Sequence, residues 1–312
     1  MDDEEIKEDQ HLLPRFFIKR FAGKNGEVSA FHRPYGRLKS RHPRGMCYKK
    51  FAYERNPEKP DNEVENDFSD IETGGAPALN KLSNSLRLNN DEWNAFAQFL
   101  SFQLVRGINF YDGTMEIGKR IHEEMIRLYA STLKEDEKKN PETGKSLKQS
   151  ILDGEIKIEP TNAYFVDTLG MAADGISRSV FEFQRVTVLH APKSVEFISG
   201  DVPAFTHRPG FPRLTQGLGQ LGYADTSLVF PVGPKRALLM RKGRPFFDIE
   251  PISEEDVLAA NRVMAYNCHT WLFGKEEEYV RRAVAETKIE RTKPRPLMAF
   301  NGPFLNIDPN KQ

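Results

Sequence analysis

The segment from His11 to Phe21 combines groups that bind anions with groups that build a protein core. It reads His-Leu-Leu-Pro-Arg-Phe-Phe-Ile-Lys-Arg-Phe, with cations at Arg15, Lys19 and Arg20. Read as a β-strand, it places both apolar and charged side chains on each of its two faces. That mixture is unusual for a strand that only fills a core. We therefore interpret the three cations as substrate-binding candidates, held beside the core where they can contact an anionic ligand.

The charges of the chain are segregated, although they sum to zero with 45 basic and 45 acidic residues. Positions 11–55 hold 12 Lys or Arg residues and only 2 acidic residues. Acidic residues cluster at positions 2–9 and again at 58–72. This pattern favours an anionic partner such as nucleic acid. The alternative is that the second acidic cluster, in a helix, folds back on the basic segment and neutralises it.

Composition and motifs exclude several classes of protein. The chain has 312 residues, of which 38% are hydrophobic, and no apolar run approaches the length of a membrane helix. Its acidic N-terminus is unlike a signal peptide, so a cytoplasmic protein is expected. Cys47 and Cys268 are far apart in sequence, which favours free thiols over a disulfide. The chain has no P-loop, no H-E-x-x-H, no G-x-S-x-G and no paired C-x-x-C.

The apolar pattern predicts a single α+β domain over residues 11–290. A mixed, mainly antiparallel sheet from the N- and C-terminal thirds is expected to pack against a helical middle section at about 61–133. A charged surface loop is expected at about 134–150. A disordered acidic tail (1–10) precedes the domain, and an irregular Pro-rich tail (291–312) follows it.

Local signals predict where several elements begin and end. Residues 15–33 are expected to form a β-hairpin. Helices are expected to start at Asn62 and at Asn89, each of which has a Glu three residues later, the spacing of a capping box. Gly74–Pro77 is expected to interrupt the first of these helices, and Gly107 to kink or break the second.

The segment 11–21 resembles the opening of the bacterial "domain of unknown function 4238" family, which reads His, two residues, Pro and then an aromatic stretch. Three further places match in the same order. Ile71-Glu72 resembles the Ile-Glu helix of the family, and Gln103-Leu104-Val105-Arg106 its Gln-x-x-Arg helix. Ser199-Gly200-Asp201-Val202-Pro203 resembles its Ser-Asp-Asn-Pro turn, without the Asn. The resemblance covers about residues 11–273, and it implies an architecture more than an activity.

The resemblance singles out His11, Glu72, Gln103, Arg106 and Asp201 as candidate site residues. Gln103 and Arg106 are three apart, so on a helix they project from one side, and an arginine offers a planar fork to phosphate or carboxylate. His11 is a candidate general base, or a ligand that joins Glu72 and Asp201 around a divalent metal. Each residue also has a structural interpretation. His11 then caps a strand edge, Glu72 and Arg106 form an ion pair between helices, Asp201 starts a turn, and Gln103 bonds to backbone.

Two classes of function are consistent with these residues. The first is a hydrolase acting on a phosphate-bearing substrate, such as a nuclease. In it His11, Glu72 and Asp201 hold a metal or activate water, while Arg15 and Arg106 grip the phosphate. The second is a non-catalytic module that binds a small anion, nucleic acid or a partner protein, in which the same polar residues form a buried network.

Overall fold

The computed structural model describes residues 6–134, 139–208 and 218–289. The N-terminal part contains β1 (Asp9–His11), α1 (Arg15–Lys19), β2 (Val28–His32), β3 (Arg37–Arg41), a 3₁₀ turn (Pro43–Gly45) and β4 (Tyr48–Lys50). The helical part contains α2 (Glu63–Ser83), α3 (Asn90–Val105), α4 (Ile108–Thr132), α5 (Leu147–Leu152) and α6 (Asn162–Phe181). The C-terminal part contains β5 (Arg185–His190), β6 (Ser199–Gly200), β7 (Phe205–His207), a 3₁₀ turn (Leu218–Gly222), β8 (Ser227–Gly233), β9 (Arg236–Arg241), β10 (Phe246–Pro251), α7 (Glu254–Asn267), β11 (Trp271–Gly274) and α8 (Glu277–Thr287).

The described strands confirm the α+β class, and they form three sheets instead of one. The first pairs β1 with β4, the second has the order β10-β5-β9-β8-β7, and the third has the order β3-β2-β11-β6. Within these sheets the pairing is antiparallel except between β10 and β5. The third sheet joins the two ends of the chain, because β2 pairs with β11. In the described part of the chain, no helix combines the length and the apolar character needed to cross a membrane.

The termini and the charged loop differ in part from their predicted bounds. β1 begins at Asp9, so the last residues of the predicted tail 1–10 belong to a strand. α5 begins at Leu147, inside the predicted loop 134–150. Residues 1–5 and 135–138 and the predicted Pro-rich tail lie outside the described residues.

The predicted hairpin over residues 15–33 is wrong, because its first half is helix α1. The hairpin lies further along, between β2 and β3. Leu13, Phe17 and Phe21 are buried and four residues apart, which is the spacing of one helical face. Pro14 fixes the backbone just before the helix, where a missing N–H costs nothing. The helical period, not strand alternation, therefore accounts for this segment.

Helix α1 lies between the two larger sheets and contributes to their shared core. The Phe17 ring stacks on Phe230 of β8 at 5.3 Å between centroids. Phe21, just past the helix, meets Phe273 of β11 edge-on at 5.6 Å. Each ring is fully buried, and such burial contributes about 1.5–3 kcal/mol per side chain. The N-terminal segment is thus held rigidly at the junction of the sheets.

The helical part is built around α3, which packs against α2 and α6. The predicted interruption at Gly74–Pro77 is wrong, since α2 continues through it. A Cβ on Gly75 would lie 2.3 Å from the Cβ of Phe99, so the glycine permits close contact between α2 and α3 rather than ending the helix. The break at Gly107 is confirmed, because α3 ends at Val105 and α4 begins at Ile108.

The two predicted helix caps have different outcomes. Asn89 and Glu92 form the predicted capping box at the start of α3. Asn62 makes no side-chain cap to α2; its Oδ1 accepts instead from the backbone N–H of Lys7 at 2.9 Å. A tertiary contact with the N-terminal segment therefore replaces the local cap.

Candidate functional site

Arg106, at the end of α3, is the centre of a buried polar network. Its guanidinium donates to Glu72 Oε1 at 2.6 Å and to the backbone carbonyl of His11. Its Nε lies 3.4 Å from Tyr53 Oη, and the tyrosine hydroxyl donates in turn to the Arg106 carbonyl at 3.1 Å. The guanidinium also lies 4.5 Å from the centroid of the Phe68 ring. Only 1% of the side chain is exposed, so its donors are directed at the protein.

The electrostatics of this network keep Arg106 charged. Burial alone would lower the pKa of Arg106, but Tyr53 and Glu72 more than offset it and raise the pKa. Burial raises the pKa of Tyr53 to about 12. Because Glu72 lies on α2, the ion pair between two helices that the sequence offered as a structural alternative is present.

Two further carboxylates surround the same network. Burial raises the pKa of Glu65 to about 7, against the opposing effect of Arg106. Glu54 is buried and accepts from Gln10 Nε2 at 2.6 Å and from the backbone N–H of Asp61 at 3.0 Å. Gln10 belongs to β1, so the network fastens the N-terminal strand to the helices.

His11 contributes its carbonyl to Arg106, while its ring faces a different environment. Burial and then the charge of Arg15 lower the pKa of His11, although a hydrogen bond with the Arg44 backbone opposes them. The ring is therefore neutral at pH 7. Within the described part of the chain, its Nε2 is enclosed and has no hydrogen-bond partner.

Asp201 follows β6 and is buried. Its carboxylate accepts from the backbone N–H groups of His269 (2.8 Å), Thr270 (2.6 Å) and Trp271 (3.0 Å). Burial raises the pKa of Asp201 to about 6, and these hydrogen bonds limit the rise. The carboxylate thus holds the segment that leads into β11.

Asp201 also lies beside the junction of α3 and α4. A Cβ on Gly107 would be 3.2 Å from the Asp201 carbonyl oxygen, and Gly107 follows Arg106. His11 and Asp201, two of the five residues singled out by the sequence, therefore both lie close to Arg106 and Gly107. Each does so through its backbone carbonyl and not through its side chain. Among the described residues, no hydrogen bond or ion pair joins the Asp201 carboxylate to His11, Glu72 or Arg106.

The predicted metal set is not assembled. No three His, Cys, Asp or Glu side chains in the described ranges are grouped so that they could hold a metal ion, and His11, Glu72 and Asp201 form no such group. Gln103 lies one turn before Arg106 and is 2% exposed. Both polar atoms of its amide lack a partner in the part of the chain that the structure describes.

The three cations of the opening segment have different surroundings. Arg20 is engaged by the protein, since it donates to the Val232 carbonyl at 2.6 Å and to Asn80 Oδ1. Arg15 and Lys19 are exposed on α1. They remain candidates for contact with a ligand, whereas Arg20 has a structural partner.

Sequence reasoning missed Tyr53, Gln10 and Glu54, which complete the network around Arg106. Their contacts join residues about 40 to 50 positions apart. The sequence did offer one indication of this network: Glu54 is one of only 2 acidic residues in the basic segment 11–55.

A family model described as "Protein of unknown function (DUF4238)" matches residues 9–278. The chain belongs to the DUF4238 family. The match includes all five positions singled out by the sequence resemblance, so each lies within the DUF4238 region. No curated protein and no solved structure matches the chain.

Proposed function

We propose that this DUF4238 protein binds a phosphate-bearing polyanion through its N-terminal basic segment, and that nucleic acid is the class of ligand. The observation that carries the proposal is a set of exposed cations without an acidic partner. Among the residues that the structure describes, no salt bridge engages the following side chains, which we call the basic surface: Arg15, Lys19, Arg37, Lys39, Arg41 and Arg44.

The basic surface is carried by three elements that follow or contact one another: β3, the 3₁₀ turn after it, and α1. Arg37, Lys39 and Arg41 alternate along β3, so their side chains leave the same face of an edge strand. β3 leads into the 3₁₀ turn that carries Arg44, and this turn packs against α1. Clustered positive charge of this kind attracts phosphates and accelerates their association.

The alternative of internal neutralisation receives no support from the ion pairs. Two cations of the basic segment pair with carboxylates outside α2, Lys50 with Glu8 and Arg55 with Asp167. Neither belongs to the acidic helix α2, which pairs through Glu72 with Arg106 of α3. The positive charge of the basic surface is therefore left for a ligand.

The matched residues act as positioning residues under this proposal. Arg106 and Glu72 hold the backbone of His11, which precedes α1 and its two exposed cations. Asp201 holds the segment before β11, on which β2 and then β3 are assembled. The buried network thus fixes the scaffold from which the basic surface projects.

The test is the affinity for a fluorescein-labelled oligonucleotide, measured by fluorescence anisotropy. A variant in which Arg37, Lys39 and Arg41 are all changed to Ser is expected to bind roughly tenfold or more weakly. A matched control removes the same charge from exposed lysines elsewhere, as Lys119→Ser, Lys157→Ser and Lys193→Ser. Equal losses in the two triple variants would show that only net charge matters, and would contradict a defined surface.

Hydrolysis of the bound phosphodiester is a second candidate, which one observation favours. His11 has a neutral imidazole whose enclosed Nε2 has no partner in the described residues, so a bound phosphodiester must displace the cover over this nitrogen before it acts as a general base. His11→Gln is expected to abolish cleavage of a labelled oligonucleotide while leaving its affinity within about twofold. Cleavage that survives in the variant would exclude His11 as the base.

We place this function in the cytoplasm. Both cysteines, Cys47 and Cys268, are buried free thiols, which suits a reducing compartment.

A further inference from the structure

An exposed aromatic stack stands at the tip of the β2–β3 hairpin, next to the cations of β3. Tyr35, in the turn, is 69% exposed. Its ring stacks on His32 at 4.5 Å between centroids, with 19° between the ring planes. The His32 ring in turn meets Trp271 edge-on at 4.4 Å and 76°.

The stack is held in place by contacts on each of its members. The backbone N–H of Tyr35 donates to His32 Nδ1 at 3.4 Å. His32 and Trp271 are directly paired across β2 and β11, so the base of the stack is fixed by the sheet. One face of the Tyr35 ring is covered by His32, and its exposure leaves the other face open to solvent.

The cations lie within reach of the same stack. Arg37 is the cross-strand partner of His32 in the β2–β3 ladder. Arg41 follows on the same face of β3, four residues after Arg37. Burial and then the charge of Arg41 lower the pKa of His32, which keeps the ring neutral at pH 7. An open aromatic face flanked by cations is how proteins bind single-stranded nucleic acid, with a base on the ring and phosphates on the cations.

We infer that the ligand of the basic surface is single-stranded nucleic acid, and that an unpaired base stacks on Tyr35 while its phosphates contact Arg37 and Arg41. This inference rests on the proposed function. It goes further because it requires unpaired bases and not only negative charge. A duplex keeps its bases stacked inside, so it cannot offer one to Tyr35.

The test measures, by fluorescence anisotropy, the affinity of the full-length protein for three labelled probes. They are a 20-nucleotide oligothymidylate, an abasic strand of the same length, and a duplex. The wild type is expected to bind oligothymidylate most tightly. Tyr35→Ala is expected to lower that affinity by roughly 5- to 150-fold, without changing the affinity for the abasic strand. Tyr35→Phe keeps the ring and is the matched control, expected to bind like the wild type.

Three outcomes would overturn the inference, and they separate it from the proposed function. If Tyr35→Ala binds oligothymidylate like the wild type while the triple Ser variant of β3 is weakened, the basic surface stands and the stacking is wrong. If the wild type binds none of the probes, both fall. If polyglutamate of equal charge displaces oligothymidylate equally well, the surface recognises an acidic polypeptide, and again the stacking is wrong.

Discussion

Replacing Arg106 by Met tests whether the buried network is structural. Methionine keeps apolar contact with the Phe68 ring while removing the guanidinium. The change leaves the carboxylate of Glu72 unpaired and withdraws donors from the His11 carbonyl and Tyr53 Oη. Breaking a buried ion pair by removing one partner costs about 3–5 kcal/mol.

This loss should be visible as a lower midpoint of thermal unfolding. For a chain of this size, we expect Arg106→Met to lower the Tm by roughly 5–8 °C. Glu72→Gln keeps an acceptor for the guanidinium but removes its counter-charge, and it is expected to cost less than Arg106→Met, about 1.5–3 kcal/mol. Arg120→Met is the control, because Arg120 forms an exposed pair with Glu116 four residues earlier, and such pairs contribute about 0.3–0.5 kcal/mol.

The measurement is differential scanning fluorimetry together with urea unfolding, and oligonucleotide affinity is measured on the same samples. An Arg106→Met protein that unfolds within about 1 °C of the wild type would refute the structural role, given the expected shift. If such a protein also lost oligonucleotide affinity, Arg106 would belong to the ligand site, as its match to the family motif first suggested.

Two further predictions concern buried carboxyl groups. The pKa of Glu65 is raised to about 7, above its unfolded value of about 4.3, so its ionisation opposes folding as the pH rises through 7. Glu65→Gln should therefore be more stable than the wild type by about 1–3 kcal/mol at pH 8, with no gain near pH 4 in urea unfolding; a gain that is independent of pH would contradict the assignment. Asp201→Asn turns an amide N–H toward one of three backbone donors, and should cost about 1–3 kcal/mol with oligonucleotide affinity per folded molecule intact. The raised pKa of Asp201, about 6, likewise makes its ionisation unfavourable to folding between about pH 4 and 6, so the variant should lack that part of the wild-type pH dependence.

Local signals in the sequence predicted local structure well. The capping box at Asn89 and the break at Gly107 depend on residues close together in the chain, and both are confirmed. The failures at Asn62 and Gly75 have a tertiary cause. The backbone N–H of Lys7 donates to the side-chain Oδ1 of Asn62, and close contact with Phe99 requires Gly75. Propensity is overruled where a distant element makes the better contact.

The candidate site was predictable only in part, for a similar reason. The pairing of Glu72 with Arg106 could be proposed from charge and from the family resemblance. Two contacts could not be predicted: the hydrogen bond from Arg106 to the His11 carbonyl, and the hydrogen bonds from backbone N–H groups to the Asp201 carboxylate. Their backbone partners have the same chemistry in every residue type, so the sequence does not identify them. Whether the cations of the basic surface have acidic partners depends on the position of α2. The sequence does not give that position, which follows from the packing of α2 on α3.

The salt dependence of oligonucleotide binding shows whether the unpaired cations of the basic surface contact phosphates. With up to six cations engaged, a plot of log affinity against log salt should have a slope of about −4 for a single strand, or roughly a 300-fold loss between 50 and 200 mM salt. The triple Ser variant of β3 should reduce that slope by about 2. A slope near zero in the wild type, or an unchanged slope in the triple variant, would show that the cations of the basic surface do not contact phosphates.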